Sequence, residues 1–140
     1  METIIPESHR DLLAGPINVV LTTVMSDGQP QTTPIWCNLA EDEDYVMINT
    51  MRQFRKAKNM QANPKVTLLA YNLKNPLRNI EVRGRVVEMT EEGALEHLDA
   101  LTMLYIGKPN FFGDSVDATL KHKFTPMKIK IEPIHVRVEG

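Results

Sequence analysis

Short runs of apolar and β-branched residues alternate along the chain with turn-forming residues. Runs of this length and composition are typical of β-strands. They predict six strands, over residues 17–24, 31–38, 45–50, 65–72, 79–89 and 127–138. In the fifth run the apolar side chains fall on every second residue, as a half-buried strand requires.

Turn-forming residues predict how these strands are connected. Asp27 and Gly28 separate the first two runs, and this dipeptide predicts a tight two-residue hairpin turn. Gly84 within the fifth run and Pro133 within the sixth predict bends or bulges. Because a closing sheet has to coil, the pattern favours a mainly β, antiparallel, closed or partly closed barrel.

Two segments have the pattern of helices. Residues 55–62 are good helix formers and stop at Asn63-Pro64, since proline restricts the residue before it. Residues 91–106 place leucines at helical spacing and stop at Gly107. A few helices are therefore expected to flank the barrel.

Length and composition agree with one globular domain over residues 1–140. The hydrophobic and charged fractions are 42% and 24%, and the net charge of -2 argues against nucleic acid as the main partner. No stretch has the pattern of a membrane span or a secretion signal, and the only cysteine, Cys37, has no partner for an intramolecular disulfide. We therefore expect a cytoplasmic protein.

The strongest candidate for chemistry is a basic cluster between the third strand and the first helix. It consists of Arg52, Arg55, Lys56 and Lys58. Cations beside the free N–H groups of a helix start form a good anion site. A solvated basic helix face explains the same cluster equally well on spacing alone.

A family resemblance favours the anion site. Three segments have sequences and an order that resemble those of the pyridoxamine 5'-phosphate oxidase-like split barrels. They are TTPIW at 32–36, NTMRQFRKAKNMQANPKVTLL at 49–69 and IEVRGRVVE at 80–88. More narrowly, they resemble the branch that uses the deazaflavin coenzyme F-420. The resemblance implies a six-stranded FMN-binding split barrel and a homodimer with the cofactor at the subunit interface.

The resemblance also implies which residues bind the cofactor. Arg55 and Lys56 match the pair that holds the phosphate, and Thr50 matches a threonine facing the phosphate or ribityl chain. Asn79 stands where relatives carry a glutamine near the ring. The full set of candidate cofactor-binding residues is Thr33, Pro34, Ile35, Trp36, Asn49, Thr50, Arg55, Lys56, Lys58 and Asn79.

The resulting hypothesis is an oxidoreductase that uses coenzyme F-420 or FMN to transfer hydride to or from a small unsaturated organic substrate. No catalytic side chain is assigned, because in such reactions the cofactor supplies the chemistry. No metal site is proposed, since the four histidines have no ligand spacing. A non-catalytic flavin-binding protein remains open. An oligonucleotide-binding barrel is disfavoured, because the eight aromatic residues are scattered.

Overall fold

The computed structural model describes residues 4–40 and 44–140. These residues form an antiparallel sheet with flanking helices, so the prediction of a mainly β fold is confirmed. The elements are β1 (Val19–Val24), β2 (Pro30–Ile35), β3 (Cys37–Leu39), β4 (Val46–Met51), α1 (Arg55–Ala62), β5 (Lys65–Tyr71), β6 (Asn79–Thr90), α2 (Ala94–Ile106) and β7 (Pro126–Glu139). Short helical turns lie at Glu7–Leu12, Phe111–Ser115 and Ala118–His122.

The sheet has the strand order β2-β1-β5-β6-β7-β4-β3, which places β2 and β3 at opposite edges. In the chain these two strands are separated by Trp36 alone. The sheet therefore has to curl until its edges meet at this residue, and it forms a half-barrel.

The described chain contains seven strands, and the prediction of six was wrong at one place. The run predicted as one strand over 31–38 divides at Trp36. Ile35 pairs with Val19 of β1, whereas Cys37 pairs with Ile48 of β4. One hydrophobic run thus supplies both edges of the sheet, a division that local periodicity does not reveal.

The concave face of the sheet carries the core. Every second side chain of β1, β5 and β6 points inward, as the period of a strand requires. The largest side chains buried there are Leu21, Ile48, Leu68, Ile80, Ile129 and Ile131.

The predicted bends at Gly84 and Pro133 are confirmed, and they lie opposite each other. Gly84 pairs with Pro133 and Arg83 pairs with His135, so Ile134 is left between them as a bulge. The register also shifts at Val87. These irregularities bend the two longest strands and help the sheet curl.

The hairpin between β1 and β2 has a longer turn than predicted. Gly28 N donates to Met25 O at 2.9 Å, and Met25 N donates to Gln29 O at 2.8 Å. Only Gly28 in this turn has a positive φ, of 90°, whereas the predicted two-residue turn needs two such residues. Asp27-Gly28 therefore marks the hairpin correctly but does not fix its length.

The two predicted helices are present. α1 has the predicted bounds, and α2 begins at Ala94 because Gly93 before it has a left-handed φ of 70°. None of the helices in residues 4–40 and 44–140 has the length and apolar character needed to cross a membrane.

Candidate functional site

A cleft of about 270 Å³ lies where the β2–β3 corner meets the end of β4, the start of α1 and one face of α2. Curling of the sheet brings Trp36 to this position, and β4 leads directly into α1 beside it. The lining residues are Asn18, Pro34, Ile35, Trp36, Asn49, Thr50, Met51, Phe54, Lys56, Leu98, Leu101 and Phe111.

The cleft brings together six of the ten candidate residues. These six are Pro34, Ile35, Trp36, Asn49, Thr50 and Lys56. Thr33 does not line the cleft and pairs with Leu21 of β1. Arg55 and Lys58 are exposed on α1, outside the lining.

Asn79 lies away from this cleft in the single chain. It begins β6 and lines a separate depression with Leu69, Tyr71, Pro76 and Arg137. Its side-chain nitrogen donates to Leu77 O at 3.1 Å. In the described chain Asn79 therefore does not meet the other candidate residues.

One end of the cleft is basic. Lys56 is half-buried, and this burial lowers the pKa of its ammonium group. In the part of the chain that the structure describes, no carboxylate pairs with Arg55, Lys56 or Lys58. Arg52 differs, because its Nη1 lies 2.8 Å from Glu91 Oε2. Lys56 is thus available in the cleft for an anionic ligand, and Arg55 and Lys58 are exposed on the same helix outside the lining.

Backbone and hydroxyl donors lie beside these cations. Arg55 and Lys56 are the first two residues of α1, so their N–H groups have no acceptor within the helix. Phe54 precedes them and provides no side-chain cap. The Thr50 hydroxyl is without a hydrogen-bond partner in residues 4–40 and 44–140. This arrangement has the donors that a phosphate group requires.

A polar network supports the other side of β4. Asn49 Nδ2 donates to Ala94 O at 2.9 Å and lies 3.2 Å from His97 Nδ1. Because a carbonyl only accepts, this contact fixes the orientation of the amide. His97 Nδ1 then accepts, and Nε2 donates to Asn38 Oδ1 at 2.9 Å. Asn49 Oδ1 is left buried and without a partner.

Burial and the nearby charge of Lys128 lower the pKa of His97 from 6.5 to about 4. The unfolded chain therefore binds more protons than the folded chain between these two values, so this residue should destabilise the fold as pH falls from 6.5 towards 4. We expect the free energy of unfolding to fall by about 2 kcal/mol over this pH range, allowing for partial solvent screening. Urea unfolding of the wild type and of His97→Gln at pH 6.5 and 4.5 measures this change in the free energy of unfolding. An equal pH dependence in both proteins would contradict the assignment.

The opposite wall of the cleft is aromatic. Trp36 stacks on Tyr105 of α2 with ring centroids 5.1 Å apart, and the edge of Phe111 meets it at 6.1 Å. The Tyr105 hydroxyl accepts from Cys37 N at 2.9 Å and lies within donating distance of Cys37 O and Ile17 O. α2 thereby holds the corner at Trp36 in place.

Six lining residues were missed by sequence reasoning. They are Asn18, Met51, Phe54, Leu98, Leu101 and Phe111. The leucine spacing identified α2 as a helix but not which element it covers. Phe111 follows α2 in the chain and reaches the cleft only through tertiary packing, so no local signal marks it.

Comparisons with known proteins agree with the fold. A family model described as pyridoxamine 5'-phosphate oxidase matches residues 5–137. A solved structure titled F420 reductase is 26% identical, with a TM-score of 0.77, and the match covers 95% of this chain and 98% of that chain.

Two further solved structures share the fold. A conserved hypothetical protein from Mycobacterium tuberculosis is 19% identical with a TM-score of 0.73, covering 98% of this chain and 86% of that chain. General stress protein 26 from Bacillus anthracis is 22% identical with a TM-score of 0.64, and the match covers 95% of this chain and 92% of that chain. No curated protein sequence matches the chain.

Proposed function

The chain belongs to the pyridoxamine 5'-phosphate oxidase family, and from this we propose that it is an oxidoreductase whose cleft binds a phosphate-bearing flavin-type cofactor. The observation that carries the proposal is the position of Lys56. It lies in one cleft with Thr50 and Trp36, and no described carboxylate neutralises it. A half-buried cation without a counter-ion favours an anionic ligand.

The residues present fit such a cofactor. The phosphate can be held by Lys56, Arg55, the Thr50 hydroxyl and the first N–H groups of α1. Asn49 lines the same cleft beside Thr50. Trp36 and Phe111 supply an apolar wall for a planar ring.

When bound, the cofactor supplies hydride transfer to or from a small unsaturated organic substrate. The chain's own contribution is to anchor the phosphate, orient the ring and exclude water from it. Leu98 and Leu101 are both buried, and they make the side of the cleft that α2 forms apolar. No side chain of the described cleft is assigned as an acid or base.

Among the two cofactors, coenzyme F-420 is the one that we favour over FMN. The support is the 26% identity to a protein titled F420 reductase across nearly the full length of both chains. We further propose that residues 1–140 act as one domain, and that two copies form a homodimer with the cofactor at their interface.

Titration of the purified protein with coenzyme F-420 and with FMN, followed by cofactor fluorescence, tests the proposal. We expect micromolar or tighter binding of coenzyme F-420 and weaker binding of FMN. Tight binding of FMN alone would overturn the cofactor preference, and binding of neither would overturn the cofactor site. Oxidation of the reduced cofactor by a panel of enones and quinones separates an enzyme from a non-catalytic binding protein.

A further inference from the structure

Residues 107–125, which connect α2 to β7, contain no buried side chain. Three of the apolar side chains in this segment are only half-buried, namely Phe112, Val116 and Leu120. We call residues 107–125 the strap. A segment with so little buried apolar surface opens locally at a low cost in free energy, so the strap is the part of the chain that is easiest to move.

The strap nevertheless has a shape of its own, which internal hydrogen bonds maintain. Gly113 N donates to Val116 O at 2.7 Å. The Asp117 carboxylate accepts a hydrogen bond from Thr119 N at 2.8 Å. Because these bonds lie within the strap, they persist when the strap as a whole changes its position.

Each end of the strap contacts an aromatic side chain that lines the cleft. Near α2, the edge of Phe111 meets Trp36 with ring centroids 6.1 Å apart. Near β7, the Phe124 ring lies 5.3 Å from that of Phe54. Phe54 directly precedes α1, which carries Lys56. The strap therefore connects the aromatic wall of the cleft to its basic end.

Few polar contacts join residues 108–124 to the rest of the chain. In the part of the chain that the structure describes, the one hydrogen bond between them runs from Phe111 N to Asp99 Oδ1, at 2.9 Å. No ion pair joins residues 108–124 to the other described residues. Moving this part of the strap away from the cleft therefore breaks one hydrogen bond and the two ring contacts.

The strap has a point at each end about which it can turn. Gly107 ends α2 with a left-handed φ of 70°, and open space lies where a side chain would stand. At the other end Thr125 is fixed to the turn before α1. Its N–H donates to Gln53 Oε1 at 3.0 Å, and its carbonyl oxygen accepts from Arg52 N at 2.8 Å. The backbone can therefore turn at Gly107 and before Thr125 while both flanking elements stay in place.

From these contacts we propose that the strap is a lid on the cleft. Residues 108–124 turn outward about Gly107 and Thr125 to admit a ligand, and they close over it with Phe111 and Phe124 at the two ends of the cleft. A ligand in the cleft touches Phe111 only when the lid is closed, so binding favours closure. Closure excludes water from the bound ligand. The inference rests on the proposed function only in taking the cleft as the ligand site.

Amide hydrogen exchange of the free protein, followed by NMR, tests the movement without any ligand. The two ends of a lid open together, so Phe124→Ala should speed exchange of the Phe111 amide about threefold to tenfold, the effect of one lost ring contact. Phe124→Leu, which keeps more of the volume, should give a smaller change in the same direction. The Val116 amide, bonded within the strap, should keep its rate. Ser115→Ala is the exposed control within the strap and should alter neither rate. An unchanged Phe111 rate in both Phe124 variants would overturn the lid.

Stopped-flow fluorescence with coenzyme F-420 and with FMN tests whether the lid controls access to the cleft. Phe124 does not line the cleft, and closure makes its contact with Phe54 whether or not a ligand is bound. Phe124→Ala should therefore raise both the association and the dissociation rate constants about threefold to tenfold, and leave the Kd within about twofold of the wild type. A rise in the dissociation rate constant alone would make the strap a fixed wall and overturn the lid. Failure to bind either cofactor would overturn the cofactor site, and the exchange rates would then decide the movement by themselves.

Discussion

Replacing Arg55 and Lys56 together by alanine is expected to weaken cofactor binding by about 3 to 6 kcal/mol, because each charged hydrogen bond to the phosphate contributes about 1.5 to 3 kcal/mol. In affinity this is a rise in Kd of about a hundredfold or more. Fluorescence titration of the variant with coenzyme F-420 and with FMN measures it.

The structure further separates the two single variants. Lys56 lines the cleft and is half-buried, whereas Arg55 is exposed at the first position of α1. Solvent screens an exposed charge more strongly than a half-buried one. Lys56→Ala should therefore lose more affinity than Arg55→Ala. Lys56→Met keeps most of the apolar stem and isolates the loss of the charge.

Arg52→Ala is the matched control for this experiment. Arg52 belongs to the same basic cluster but pairs with Glu91 at 2.8 Å and does not line the cleft. Its removal should leave cofactor affinity within about twofold of the wild type, since exposed ion pairs contribute little. Near-native affinity in the Arg55/Lys56 double variant would show that the basic end of the cleft does not bind the phosphate. Equal losses in Arg52→Ala would point to a general effect of net charge.

The fold could be predicted from sequence wherever local periodicity determines the structure. The strand runs, both helices and the bends at Gly84 and Pro133 follow from the alternation of apolar residues and from the backbone limits of glycine and proline. The division at Trp36 could not be predicted in this way. It exists because two neighbouring segments find different pairing partners, and pairing is a property of the whole sheet.

The candidate site was predictable to a similar extent. Lys56 was identified because a cluster of basic residues marks the entry to α1, whereas Thr50 was identified only from the family resemblance. Of the aromatic wall, the sequence identified Trp36, which belongs to a recognisable segment, but not Phe111, which follows α2 and meets Trp36 only in the folded chain. Asn79 lies in another depression of the same chain, and its role in the site stays a prediction that depends on a second copy.

The largest expected effect on stability comes from Gly84→Ala. The added Cβ would lie 2.6 Å from Ile131 Cγ2 and 3.0 Å from Glu132 O, which is closer than carbon and oxygen atoms pack. Gly84 lies at the register shift between β6 and β7, where the two backbones approach each other closely. Neither neighbour can move easily, because Ile131 is fully buried and branched at Cβ and Glu132 O belongs to the backbone.

We therefore expect Gly84→Ala to lower the free energy of unfolding by about 2 to 3 kcal/mol and the Tm by roughly 5 to 10 °C. Urea and thermal unfolding measure these changes. Arg85→Ala, on the same strand but exposed, is the control and should change the stability by less than about 0.5 kcal/mol.

A double-mutant cycle shows whether the contact with Ile131 is the cause. Ile131→Ala removes the methyl group that Cβ would meet, at the cost of a cavity. In that background Gly84→Ala should cost clearly less than in the wild type, since one of its two close contacts is gone. An equal cost in both backgrounds would place the strain at Glu132 O. No cost in either would mean that the two strands separate enough to admit a side chain, and that the bend does not depend on glycine.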